Sequence, residues 1–178
     1  ETLRDAPRAA FRNLVDEAIS QHIDFMVISG DLYDGNWPDV NTGLFFAQEM
    51  GRLNRENIPV FIVYGTHDAE SKLTKQLILP ANVTIFSSRK AETHHLEELE
   101  VALHGQSFRN AKTEDNLAVN YPVAIPNCFN IGVLHTAVEG HAAHALYAPC
   151  SLSDLVDKGY DYWALGHVHE HKVLNDDP

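Results

Sequence analysis

The sequence predicts an α/β fold with a largely buried sheet, and three observations predict it. Several short segments are apolar throughout, as strands covered on both faces are. These segments alternate with stretches whose apolar residues recur at helical spacing. Four of the apolar segments end in Asp or His, in the order Gly-Asp, Gly-x-His-Asp, His and Gly-His-x-His. Ligands of open α/β sheets gather beyond the carboxyl ends of the strands, so these polar residues fall where such a fold places a site.

The elements follow in order. Phe11, Leu14, Val15, Ala18 and Ile19 form one apolar stripe and predict a helix over residues 7–21. "DFMVIS" predicts a short buried strand ending at Gly30-Asp31, and "NTGLFFAQEMGRLNREN" a second helix. "PVFIVYG" predicts a second buried strand closed by Gly65, "KLTKQLIL" a helix and "NVTIF" a strand. "LEVALHGQSF" predicts a strand running into a loop, and "CFNIGVLH" a strand ending at His135. "SLSDLVDKG" predicts a short helix capped by Ser151 or Ser153, and "YDYWALG" the last strand. Residues 87–127 have weaker periodicity and predict extra strands or long loops. Gly30, Gly65 and Gly166 fit sharp turns out of strands, where the backbone bends close to a site.

A length of 178 residues suits one domain over 1–178 with a core of its own. Hydrophobic residues make up 44% and charged residues 21%, the balance of an ordinary globular protein. No apolar run approaches the roughly 20 residues that span a bilayer, and no signal peptide is visible in the charged opening "ETLRDAPRAAFRNL". The chain opens at Glu1 and breaks off after "NDDP", and reads as an internal piece of a longer protein. Cys128 and Cys150 make neither a disulfide framework nor a zinc-ribbon spacing. Free thiols in the cytoplasm are expected. The formal net charge of −12 argues against a broad basic surface for nucleic acid. It leaves room for a nuclease, because bound divalent cations reverse the local field.

The densest stretch is "YWALGHVHEH", with His167, His169 and His171 at alternate positions after an apolar run. Residues two apart in extended backbone point to the same side, so two of these rings can converge. Convergent imidazoles point to a metal. Each residue also has a plain structural reading. Asp31 after a strand can be a turn former or a helix cap, Asp34 can cap the segment that follows, and His135 can be a packed core histidine. His171 reads as a solvated surface residue and is left out of the site. Taken jointly, the ordered set at four strand ends reads as a metal site.

That order, together with "GDLYDGNWPDVNTGLFF", "GTHDAES", "LHGQSF", "FNIGVLHT" and "YDYWALGHVHEH", resembles the calcineurin-like metallophosphoesterases. Within them the chain is most similar to SbcD-type DNA-repair exonuclease subunits, in particular the YhaO-like branch. The resemblance implies an α/β/β/α sandwich whose first strand and C-terminal cap are missing from this stretch. It implies a phosphodiesterase, above all an exonuclease cutting DNA ends by two-metal in-line attack. Asp31 would bridge two divalent metals, His135 and His167 would bind the second, with Thr66 at the position of a further ligand, and His169 would bind the first. Imidazole plus carboxylate suits Mn, Fe or Zn better than an all-oxygen magnesium site, and the resemblance implies Mn first. His67 would stabilise the transferring phosphate and protonate the leaving 3′-oxygen, and Asp68 would orient its ring. The implied partners are DNA, an SbcC-type coiled-coil ATPase and a second copy of the chain, with no membrane.

Two departures weigh on this. The family pattern has Asn where this chain has Thr66, a shorter and weaker ligand. The family's opening Asp-x-His motif is absent from this chain, so the stretch by itself is expected to hydrolyse DNA poorly. Two other readings stand beside the exonuclease. One is a phosphoesterase acting on a nucleotide, a cyclic nucleotide or a phosphoprotein; the other is a catalytically degenerate scaffold subunit.

Overall fold

A computed structural model of the chain describes residues 6–32, 40–70, 77–110, 112–138, 147–169 and 172–175. The chain forms two compact units. The first comprises Glu1–Met26, Pro38–Phe61 and Leu73–Thr84, and the second Val27–Trp37, Ile62–Lys72 and Ile85–Pro178.

The first unit holds helices α1 (Ala6–Ser20) and α2 (Val40–Arg55). The apolar stripe of α1 buries Val15 and Ala18, and Phe11 meets Phe46 of α2 at 5.7 Å between ring centroids. Glu49 is buried on α2, and Arg52 one turn on bonds it at 2.7 Å while also pairing with Asp16 of α1. A buried charge needs such a partner.

Strands β1 (Met26–Ile28), β2 (Val60–Ile62) and β3 (Val83–Ile85) lie in the order β1-β2-β3. In the first unit Met26 N donates to Pro59 O and Val60 N to Asn82 O, both at 2.9 Å. In the second unit Val63 N donates to Ile28 O at 3.0 Å and Phe86 N to Ile62 O at 2.9 Å.

The second unit carries a four-stranded sheet, β4 (Glu92–Leu96), β5 (Val101–Gly105), β6 (Phe129–His135) and β7 (Tyr162–Gly166), in that order. β4 is antiparallel to β5, whereas β5, β6 and β7 run parallel. β6 is buried from Asn130 to His135, as its unbroken apolar run requires. Two short helices complete the unit, α3 (Thr66–Glu70) and α4 (Leu152–Val156). Ser151 caps α4 in a reciprocal pair: its Oγ accepts from Asp154 N at 3.1 Å, and Asp154 Oδ2 accepts from Ser151 N at 2.8 Å. Phe108, Tyr121, Leu134, Leu155 and Tyr160 anchor the core.

Inside the same unit, His104 of β5 is fully buried, with Nδ1 2.8 Å from Thr93 Oγ1 and Nε2 2.9 Å from Asn130 Oδ1. The Asn130 amide group donates to Ile125 O and Cys128 O, so Oδ1 is its acceptor end. His104 therefore carries its proton on Nε2 and accepts from the Thr93 hydroxyl. Burial, partly opposed by the Asn130 bond, lowers its pKa below the ordinary 6.5.

Among the described residues every expected strand and helix is present, apart from one stretch that is only partly described. "KLTKQLIL" falls mostly outside the described residues, and its described end, residues 77–79, is not helical. The weakly periodic stretch 87–127 holds β4 and β5 with two 3₁₀ turns, Glu97–Leu99 and Ala118–Asn120. Among the described residues no helix is long and apolar enough to cross a membrane.

Candidate metal centre

The register of the second sheet sets the site. β6 and β7 pair in parallel with His135 opposite Gly166, so the two strands end level and His167 follows at the same edge. Beyond β1, Ser29 Oγ donates to Ala164 O of β7 at 3.0 Å. The chain then turns through Gly30 at φ +94° and Asp31 at φ +52°. After β2, Gly65 leads into α3, which carries Thr66, His67 and Asp68. Asp68 is fully buried, and its Oδ2 accepts from Gly65 N at 3.0 Å and from Leu32 N at 3.2 Å. One carboxylate thus holds the turn after β1 against the turn after β2. His67 N adds a bond to Asp31 Oδ1 at 3.2 Å.

These turns bring together Asp31, His135 and His167, each offering one ligand atom, all within 4.8 Å of one another. His135 is fully buried, with Nδ1 2.9 Å from Ser29 O. A carbonyl only accepts, so Nδ1 carries the proton and donates it. In the neutral ring Nε2 then bears a lone pair, and it faces Asp31 Oδ2 at 3.3 Å. A lone pair facing a carboxylate oxygen is repulsive unless a proton or a cation lies between them. Burial pushes the Asp31 carboxyl up, but positive charge at the Nε2 edge of His135 and the His67 amide outweigh it. The net position is below the ordinary 3.8, and Asp31 is ionised at neutral pH.

Two imidazoles and a carboxylate are a fitting donor set for a first-row divalent ion. A metal-binding histidine also commonly gives its other ring N–H to a backbone carbonyl, the part Ser29 plays here. The buried Thr66 Oγ1 has no hydrogen-bond partner among the described residues, as a hydroxyl reserved for a ligand would not.

The walls are close. A Cβ on Gly65 would lie 2.7 Å from Asp31 Oδ1 and from His135 Cε1, so only glycine lets this turn approach. Phe108 sets its ring edge-on to His135 at 5.3 Å, and Tyr147 sits 4.9 Å from the His167 ring. His167 holds φ +90°, a costly conformation for a side-chain-bearing residue and the kind of strain that clusters at functional sites.

Of the residues singled out in the sequence, Asp31, His135 and His167 converge. Thr66, His67 and Asp68 lie on the adjoining turn. His169 is exposed and outside the convergent group. Asp34 and His171 fall outside the described residues. Sequence reasoning missed Ser29, Phe108 and Tyr147. Ser29 acts through its backbone oxygen, which no residue code advertises.

Residues 4–171 match the family of calcineurin-like phosphoesterases. The chain is 33% identical over 176 residues to the uncharacterized metallophosphoesterase YhaO of Bacillus subtilis, covering 97% of this chain and 43% of that protein. It is 26% identical over 170 residues to the DNA double-strand break repair protein Mre11 of Sulfurisphaera tokodaii, covering 92% of this chain and 43% of the relative. It is 29% identical over 167 residues to the protein of the same name from Sulfolobus acidocaldarius, covering 91% and 43%. The chain therefore spans less than half the length of these relatives.

Proposed function

Because the chain belongs to the calcineurin-like phosphoesterase family, we propose that it is the metal-binding part of a phosphodiesterase, an exonuclease acting on DNA ends. The observation that carries this reading is the convergence of Asp31, His135 and His167, with the His135 tautomer set by Ser29. Similarity to two proteins named for DNA double-strand break repair favours DNA among phosphodiesters.

In this reading two divalent ions, Mn first and Fe or Zn next, supply Lewis acidity to the phosphate and an activated water. Asp31, His135, His167 and the Thr66 hydroxyl would hold the ions, with His169 as a further ligand. Asp68 clamps the turn that carries His67 and orients its ring. His67 stabilises the charge developing on the phosphate and gives its proton to the leaving 3′-oxygen. The reading extends to a cytoplasmic protein working with a coiled-coil ATPase, as a dimer.

The test is hydrolysis by the full-length protein with Mn, on single- and double-stranded DNA ends beside bis-p-nitrophenyl phosphate. Mn-dependent cutting of DNA that a chelator abolishes is expected. Turnover of the generic diester with DNA untouched would move the substrate to small phosphodiesters. No turnover of either and no bound ion would make the protein a scaffold.

A further inference from the structure

Beside the candidate metal centre lies a second feature of the same unit, a cleft of about 330 Å³ whose lining includes Arg89, Arg109 and Lys112. The chain carries 25 acidic and only 13 basic residues, so three cations in one cleft stand against its general charge. Arg52 is held by two carboxylates and Lys158 by the carbonyls of Val119 and Tyr121. Arg89, Arg109 and Lys112 make no ion pair among the described residues. Gln106 and Asn110 add neutral amide groups to the lining.

The cleft is tied to the metal centre at two points. Ser107 Oγ accepts from Tyr64 N at 3.0 Å and Phe108 N donates to Tyr64 O at 2.8 Å, which fixes the loop to the turn before Gly65. Phe108, next to Arg109, packs edge-on against His135. On the other side Ala148 N donates to Thr113 O at 2.5 Å. Thr113 follows Lys112, and Tyr147 beside Ala148 packs on His167. Arg109 and Lys112 therefore stand on supports that run into His135 and His167.

We propose that this cleft binds backbone phosphates of the substrate strand next to the phosphate being cut. This rests on the exonuclease reading and names where the strand lies. Cations that make no ion pair among the described residues contact phosphate through charge, largely regardless of base sequence. Glu114 and Asp115 also line the cleft and oppose the cations, so the strand is held weakly.

The test uses the full-length protein with metal stripped by a chelator, so that nothing is cut. Binding of a fluorescent single-stranded oligonucleotide is followed by anisotropy across a salt series. Each lost phosphate contact reduces the slope of log K against log salt by about 0.7 for a single strand. The variant Arg109→Gln with Lys112→Gln should therefore lower the slope by about 1.4, and adding Arg89→Gln by about 2. Glu114→Gln with Asp115→Asn should tighten binding. An unchanged slope in the triple variant, weaker binding in the acidic double variant, or no binding of the oligonucleotide at low salt would overturn the proposal. So would a mononucleotide that competes as well as the oligonucleotide at equal phosphate concentration, since it would make the occupant a single phosphate. Turnover of bis-p-nitrophenyl phosphate by the unmodified protein with Mn reports separately on the enzyme reading. Turnover with an unchanged slope sinks the cleft alone, and a reduced slope without turnover sinks the enzyme reading alone.

Discussion

His135 stands between a backbone carbonyl and a carboxylate: its Nδ1 lies 2.9 Å from Ser29 O and its Nε2 3.3 Å from Asp31 Oδ2. The first contact fixes the proton on Nδ1, and the second then requires something positive between Nε2 and Asp31. If that is a metal ion, His135→Ala in the full-length protein removes a direct ligand. The loss in metal affinity should exceed the roughly 10–100-fold that removing an outer partner costs. Calorimetric titration with Mn, beside elemental analysis of the purified protein, checks this. Unchanged affinity would mean that His135 is a core histidine paired with Asp31.

His67 should behave differently. It enters the site through its backbone bond to Asp31 and lies outside the convergent ligand group. His67→Ala should lower the hydrolysis rate by roughly 10²–10⁴-fold, the range of general acid catalysis, and leave metal content intact. Loss of metal together with activity would make it a ligand.

Thr66 gives a gain-of-function test. Its hydroxyl is buried and without a partner among the described residues, and it is shorter than the amide of Asn. Thr66→Asn should tighten Mn binding by several-fold in the same titration, because an amide oxygen reaches further and is the stronger ligand. Weaker binding would show that the turn is already filled and that Thr66 is there for packing.

Much of this site was legible in the sequence because its residues sit where buried apolar runs stop. Gly30-Asp31, His135 and Gly166-His167 each mark a strand end, and the parallel register of β6 with β7 brings two of those ends level. Glycine at Gly30 and Gly65 was legible as a turn signal, and the near-contact with His135 supplies the physical reason. The parts that did not show depend on long-range geometry. Ser29 acts through its main chain, 106 residues from His135. The Thr93–His104–Asn130 network joins three strands, so nothing local in the sequence marks His104. His169 follows the alternate spacing, yet the left-handed turn at His167 breaks the extended backbone that the spacing presumes.

That network makes a prediction about pH. The folded pKa of His104 is lowered, first by burial, so below pH 6.5 the unfolded chain takes up a proton that the folded chain refuses. Its contribution is absent above pH 6.5, and stability falls as pH drops from there toward the folded pKa. The slope from this one group reaches at most about 1.4 kcal/mol per pH unit. Urea denaturation of the full-length protein between pH 7.5 and 5, a range chosen to bracket the ordinary His value of about 6.5, should show a steeper loss than in a His104→Gln variant. Parallel curves would mean that His104 is protonated in the folded state.

The most direct measurement is anomalous X-ray scattering at the manganese edge from crystals of the full-length protein grown with Mn. A peak is expected within ligand distance of Asp31 Oδ2, His135 Nε2 and a ring nitrogen of His167, with the Nδ1 bond of His135 to Ser29 O unchanged. A map with Mn bound elsewhere, or with no peak among these three residues at saturating Mn, would contradict it.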